Sequence, residues 1–297
     1  MRILIEASGS LTSGYLINSI KEAGHTCVAS DINNSCFGRY LADDFIVMPT
    51  ASDPEIWNKI ESKLLENNIN MVIPSLDETL LGWAQHKEKF SEIGIKIVLS
   101  SSESIAVCQD KWLTYEFFKA NGIPTPKTSL NQIYPLVKPR LGRGGAGVFI
   151  PEDNVDMTGQ ISQEVVDGVE YTVDVFCDDA NIPIYIVPRR RLNVRDGKSV
   201  DGIVEHNEAI SNWVKLICQK LPFIGPINIQ CFKLNDGSIL FIEINPRIAG
   251  GMALGFASTE NWIRLIISNL VYGVKITPKL IQYGLEMRRY YAEVFIP

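Results

Sequence analysis

The chain opens on a short apolar run, Ile3-Leu4-Ile5-Glu6-Ala7, followed by Leu16, Ile20 and Ala23 at helical spacing and a stop at Gly24. A brief continuous run bounded by turn residues reads as a strand buried on both faces, and the stripe after it as a helix with one apolar side. The rhythm then repeats. Cys27–Asp31 predicts a second strand, Phe45–Val47 a third, Ile56, Ile60 and Leu64 a helix, Met71–Pro74 a fourth strand and Ile95–Leu99 a last one. Strands alternating with helices predict a parallel, doubly wound sheet. Between Gly9 and Gly14 a glycine-bearing turn precedes a helix but lacks the dinucleotide fingerprint, so dinucleotide binding is not expected. Asp31 follows the second strand, placed either for a ribose hydroxyl or as a helix cap. Pro74–Glu78 follows the carboxyl end of a strand, where open parallel sheets place ligands. The same residues also read as a helix start, with Ser75 as cap and Glu78 completing a capping box.

The pattern changes at Ser100-Ser101-Ser102. A helix is predicted over Cys108–Asn121, striped by Trp112, Tyr115 and Phe118 and ended by Gly122. Asp110-Lys111 lies near its start, at a boundary expected between Ser104 and Lys111. Pro124 and Pro126 then force an extended connector, since each proline fixes its own φ and restrains the residue before it.

Further on the period becomes two. Gly225–Phe232 and Leu240–Arg247 flank an Asn235-Asp236-Gly237 turn, and the alternation puts Asn228, Gln230, Glu243 and Asn245 on one face with Ile and Phe on the other. A carboxylate among amide oxygens suits Mg²⁺, which shares its remaining ligands with water and substrate phosphates. Arg247, two residues past Asn245, is in reach of a phosphate oxygen. A second cluster reads Val137-Lys138-Pro139-Arg140-Leu141-Gly142-Arg143-Gly144-Gly145-Ala146-Gly147-Val148. Glycines there supply either the positive φ of a plain hairpin or a nest of backbone N–H groups that cradles polyphosphate, and Lys138 and Arg143 favour the nest. The P-loop spacing is absent. A third segment, Gln163–Val175, reads as strand, Gly168 bend and strand.

Composition narrows the partners. A net charge of −6, with basic residues scattered apart from Arg189-Arg190-Arg191, disfavours nucleic acid. No apolar stretch reaches membrane-spanning length, and the first strand begins beside Met1, so neither a membrane span nor a signal peptide is expected and the expected location is cytoplasmic. The six cysteines (Cys27, Cys36, Cys108, Cys177, Cys218, Cys231) show no C-x-x-C spacing and read as reduced core residues. Of the three arginines, Arg189 and Arg191 share a strand face while Arg190 opposes them, and Arg191 is the candidate site residue. His206 reads as a surface histidine before a helix, with a base role as the alternative.

In order, Asp110-Lys111, Lys138 with its glycine loop, Gln163-Glu164-Val165-Val166-x-Gly168-x-Glu170, and Gln230 followed by Glu243-Ile244-Asn245-Pro246-Arg247 resemble the ATP-grasp superfamily, closest to its carbamoyl-phosphate-synthetase-like and carboxylate–amine ligase branch. The resemblance implies an α/β and α+β chain. Residues 1–107 would be a Rossmann-like domain and 108–297 an ATP-grasp domain of two α+β lobes, a reduced lid over about 123–166 and a catalytic lobe over 167–297. The short connections from Thr128 to Pro135 and from Val148 to Gln163 leave that lid little room for helices. The resemblance further implies that Lys111 and Lys138 contact ATP phosphates or the adenine side of the cleft, that Gly144, Gly145 and Gly147 belong to a mobile lid over the phosphates, and that Glu164 and Val166 hold adenine and Glu170 the ribose. Gln230, Glu243 and Asn245 would hold Mg²⁺, with Mn²⁺ as the alternative ion. Arg247, Lys138 and Arg191 would serve the transferred phosphoryl group, and Gly250-Gly251 the acceptor carboxylate. The implied activity is ADP-forming ligation of a small carboxylate and an amine through an acyl phosphate, by a homodimer. Phosphotransfer to bicarbonate and a non-catalytic ATP-binding regulator are the alternatives.

Overall fold

The computed structural model describes residues 1–10, 12–195, 198–290 and 292–296. Strands β1 (Arg2–Ile5), β2 (Thr26–Asp31), β3 (Asp44–Val47), β4 (Met71–Ile73) and β5 (Lys96–Ile97) form a wholly parallel sheet in the order β3-β2-β1-β4-β5. Helices α1 (Ser13–Glu22), α2 (Gly38–Leu41), α3 (Ile56–Glu66), α4 (Asp77–Gln85) and α5 (Lys87–Glu92) make the crossovers. The doubly wound expectation holds, and the last strand is shorter than Ile95–Leu99 because only Lys96 and Ile97 pair in register with β4. The strand order reverses between β1 and β4, so the crevice favoured for ligands lies beyond their carboxyl ends.

Glu6 fills the base of that crevice. Its buried carboxylate accepts from Ser75 N (3.1 Å), Leu76 N (3.4 Å), Thr79 Oγ1 (3.0 Å) and Trp83 Nε1 (2.7 Å). Burial raises its pKa, and these four donors offset part of the rise. The arrangement overturns the capping box. Ser75 donates its hydroxyl to Glu6 O instead, α4 starts at Asp77 without a side-chain cap, and Glu78 points to another partner. Asp31 caps no helix; it accepts from Gly9 N and Asn33 N, both at 2.9 Å.

The helix predicted over Cys108–Asn121 is two helices, α6 (Ser102–Gln109) and α7 (Lys111–Ala120). Asp110 breaks them by taking an extended conformation and capping α7 through Trp112 N at 2.8 Å. A small antiparallel sheet follows, β6 (Thr128–Ser129), β7 (Leu136–Pro139) and β8 (Gln160–Gln163) in the order β6-β8-β7. No helix lies between Ser129 and Val169 among the described residues. After the glycine turn the chain makes a single bridge, Phe149 to Val137.

The large sheet comprises β9 (Val169–Cys177), β10 (Pro183–Arg195), β11 (Lys198–Val204), β12 (Gly225–Lys233), β13 (Ile239–Asn245) and β14 (Glu286–Met287). It is antiparallel throughout, in the order β13-β12-β9-β10-β11-β14. On one face Val173, Val175, Ile227, Ile229 and Phe241 bury against Ile210, Val214 and Ile217 of α8 (Glu208–Lys220). On the other, Phe176, Tyr185 and Trp262 join Leu16, Ile17 and Ile20 of α1 in one continuous apolar cluster, so the parallel sheet and the large sheet are packed together. Tyr15 reinforces the junction by donating its hydroxyl to Ala249 O at 2.9 Å. All six cysteines are buried and free, as expected. No described helix is long and apolar enough to cross a membrane.

Candidate active site

The polar residues of the large sheet converge because strand pairing keeps them in register. Asn228 pairs with Asn245 and Gln230 with Glu243, and a bulge after Gln230 bends the ladder just beyond them. The expected face is therefore formed. Asn245 Nδ2 donates to Glu243 Oε1 (2.7 Å), which leaves Glu243 Oε2 and the Gln230 amide to the cleft. Next to them, β9 contributes Glu170, Thr172 and Asp174 on the same side, opposite Arg191 and Arg189 of β10.

A cleft of about 310 Å³ separates this face from the small sheet. It is lined by Lys111, Lys138, Gly144, Gly145, Glu164, Val166, Glu170, Arg191, Gln230 and Glu243, residues brought together from five regions of the sequence. Gly147, Asn245 and Arg247 do not line it. Gly147 lies behind the loop, at φ +71°, where a Cβ would come within 2.9 Å of Pro139 Cγ. Asn245 stands behind Glu243, and Arg247 is turned toward the parallel sheet.

The glycine loop is shaped by backbone that only glycine adopts easily, with φ of +120°, +65°, +71° and +71° at Gly142, Gly144, Gly145 and Gly147. Lys111 closes its near end by donating Nζ to Gly142 O (2.8 Å), while Arg140 ties the loop to α7 through Asp110. Arg143 reaches across to α4, with Nη2 3.1 Å from Glu78 Oε1.

Lys138 is the most perturbed cation in the cleft. Only 8% exposed, it donates Nζ to Gln163 Oε1 at 2.8 Å. Burial lowers its pKa to about 8, against a partial upward pull from Glu243 and with a further lowering by Lys111. The Glu170 carboxylate is pushed upward by burial and pulled back by Arg191, its ion-pair partner, so it is engaged rather than free. His206 is exposed, edge-on to Tyr283 and ahead of Asn207, which caps α8 through Ile210 N at 3.1 Å. It takes no part in the cleft.

Two groups escaped sequence reasoning. Asp77 holds Arg247 with both oxygens, Oδ1 to Nε at 2.8 Å and Oδ2 to Nη2 at 2.6 Å. The hint was its place after a parallel strand, but no local spacing joins residues 170 positions apart. The other is Arg189, 1% exposed, paired with Asp174, which also accepts from Asn228 Nδ2 at 2.8 Å. The alternation that favoured Arg191 equally put Arg189 on this face, deeper toward the sheet centre.

The profile of the ATP-grasp domain matches residues 108–251, and that of the PylC-like N-terminal domain matches residues 3–98. Residues 108–251 are an ATP-grasp domain. Its architecture is a parallel-sheet N-terminal domain followed by an ATP-grasp fold. It is similar to the carbamoyl phosphate synthase large chain of Agathobacter rectalis, 28% identical over 232 residues, which are 65% of this chain and 22% of that protein. It is also similar to the 3-methyl-D-ornithine–L-lysine ligase of Methanosarcina barkeri, 28% identical over 193 residues, 62% of this chain and 50% of that one. The chain thus spans half or less of the length of these two relatives. Among solved structures, the biotin carboxylase domain dimer of Hydrogenobacter thermophilus 2-oxoglutarate carboxylase, in complex with magnesium ADP and bicarbonate, superposes with a TM-score of 0.73 at 16% identity, covering 96% of this chain and 73% of that one.

Proposed function

We propose that this ATP-grasp protein is an ATP- and Mg²⁺-dependent carboxylate–amine ligase that activates a small carboxylate as an acyl phosphate. The observation that carries the reading is one cleft with the Gln230–Glu243 oxygen row on one wall and buried Lys138 with the glycine loop on the other. Oxygen donors centred on one carboxylate fit a hard divalent ion that keeps water and phosphate ligands. Mg²⁺, when bound, supplies charge neutralisation between the nucleotide phosphates; Mn²⁺ suits the same donors. The residues of the chain do the rest. Glu164 and Val166 border the adenine end, and Glu170 receives the ribose once it leaves Arg191. Lys111, Lys138 and the loop N–H groups hold the phosphates, and Arg247, held by Asp77 beside the cleft lining, serves the transferred group.

Charge explains why so many cations are needed, because an anionic carboxylate must approach an anionic γ-phosphate. Its oxygen forms a bond to phosphorus as the bond to the departing ADP oxygen breaks. An amine then attacks the acyl carbon, phosphate leaves, and the amine nitrogen gives up a proton. Closure of the glycine loop and small sheet excludes water that would otherwise hydrolyse the acyl phosphate. The methylornithine–lysine ligase relative supports amino-acid-like substrates, the dimeric neighbour supports a homodimer, and the chemistry suits the cytoplasm.

The test is incubation with ATP, Mg²⁺ and paired panels of amino acids and amines. ADP and phosphate are expected in equal amounts, only when both a matching acid and amine are present. AMP and pyrophosphate, or tight ATP binding that no substrate pair turns over, would contradict the reading.

A further inference from the structure

Arg247 stands just past the end of β13, beside the cleft rather than lining it, and what fixes its guanidinium comes from the other domain. A guanidinium has five N–H bonds. Nε–H and one Nη2–H go to the two oxygens of Asp77 (2.8 and 2.6 Å). The second Nη2–H points at Asn245 Oδ1 (3.3 Å) and one Nη1–H at Ile248 O (3.2 Å). A single Nη1–H is left over. Asp77 and Arg247 are only 19% and 12% exposed, so their fork-to-fork pair is sheltered from solvent and geometrically strict.

Asp77 is itself held in place. It is the first residue of α4, whose approach is pinned by the four donors gathered on Glu6, and its own carbonyl accepts from Gln109 Nε2 of α6 at 2.5 Å. The crevice at the strand-order reversal of the parallel sheet thus presents a rigid carboxylate to the metal-face strand.

We infer that Asp77 is a positioning residue for phosphoryl transfer: the N-terminal domain fixes where the Arg247 guanidinium stands beside Glu243 and Asn245, with one Nη1–H left for an incoming phosphate oxygen. This rests on the ligase reading, in which Arg247 serves the transferred group. Asp77 itself does not line the cleft. The neighbouring contact of Arg143 with Glu78, also on α4, brings the glycine loop to the same element, so loop and arginine take their reference from one helix end.

The test uses the full chain and measures calorimetric affinities for Mg²⁺–ADP and for a non-hydrolysable Mg²⁺–ATP analogue. The wild type is expected to favour the analogue about 10-fold or more, the scale of one charge-assisted hydrogen bond. Asp77→Asn is expected to bring that preference close to parity while leaving ADP affinity within about twofold, because an amide keeps the shape but cannot accept from both guanidinium edges. Asp77→Glu, which keeps the charge and displaces it, is expected to fall between, and serves if the amide variant folds poorly. Arg247→Met should remove the same preference, and Asp77→Asn added to it should remove nothing more. An unchanged preference in Asp77→Asn and Asp77→Glu, or a larger one, overturns the positioning role alone. A wild type that binds neither nucleotide overturns the ligase reading and this inference with it.

Discussion

Replacing Glu243 by Gln is expected to cut turnover by about 10³-fold or more, the loss of several kcal/mol of charge stabilisation at the transferred phosphate. Glu243 is the one carboxylate in the Gln230–Glu243–Asn245 row, so Gln leaves only neutral oxygens for a divalent ion that prefers anionic ones. The variant also disturbs Asn245, whose Nδ2 donates to Glu243 Oε1 and would meet a second amide. Binding of Mn²⁺ followed by electron paramagnetic resonance separates the two consequences, since weakened metal affinity is expected even where no substrate is present. A Glu243→Gln protein with near-normal rate and metal affinity would remove the metal assignment.

The second large effect belongs to Lys138. In the free protein burial holds its pKa at about 8, so the charge is present below that pH and lost above it. A phosphate placed beside Nζ favours the ammonium and raises the pKa in the complex. Linkage then fixes the sign: nucleotide affinity is level below about pH 8, and falls by up to about tenfold per pH unit as the pH rises from there to the pKa of the complex. Binding measured at about pH 8 to 9 should take up protons, which titration in buffers of different ionisation enthalpy detects. Lys138→Met should lower affinity by about 100-fold at neutral pH, the scale of a charged hydrogen bond in a buried site, and abolish the pH slope. A slope that survives in Lys138→Met would assign it to another group.

How much of this was legible beforehand follows from the range of the signals. The parallel sheet was readable because each strand is buried on both faces and announces itself within a few residues, and the shared polar face of Asn228, Gln230, Glu243 and Asn245 because a period-2 alternation is local. The glycine loop was readable because positive φ at Gly142, Gly144 and Gly145 restricts residue type directly. The Cys108–Asn121 helix was misjudged at Asp110, whose capping geometry breaks an apolar stripe that periodicity alone would continue. Ser75 was misread because the acceptor of its hydroxyl, the Glu6 backbone carbonyl, lies 69 residues away. Asp77 with Arg247 and Arg189 with Asp174 are pairings of tertiary packing, and a linear pattern shows at most which face each residue occupies. The shortness of the small lobe was visible as short connections. Its consequence, a glycine loop steadied by Asp110–Arg140 and by Arg143–Glu78 rather than by helices of its own lobe, required the folded chain.

The central claim is that a carboxylate oxygen, not water, attacks the γ-phosphorus of ATP in this cleft. The direct measurement supplies the acid identified by the substrate panel with both carboxylate oxygens as ¹⁸O, in unlabelled water with ATP, Mg²⁺ and amine, and reads the released phosphate by mass spectrometry. One ¹⁸O per phosphate is the predicted result. Unlabelled phosphate, or label appearing in AMP, would contradict the acyl-phosphate account.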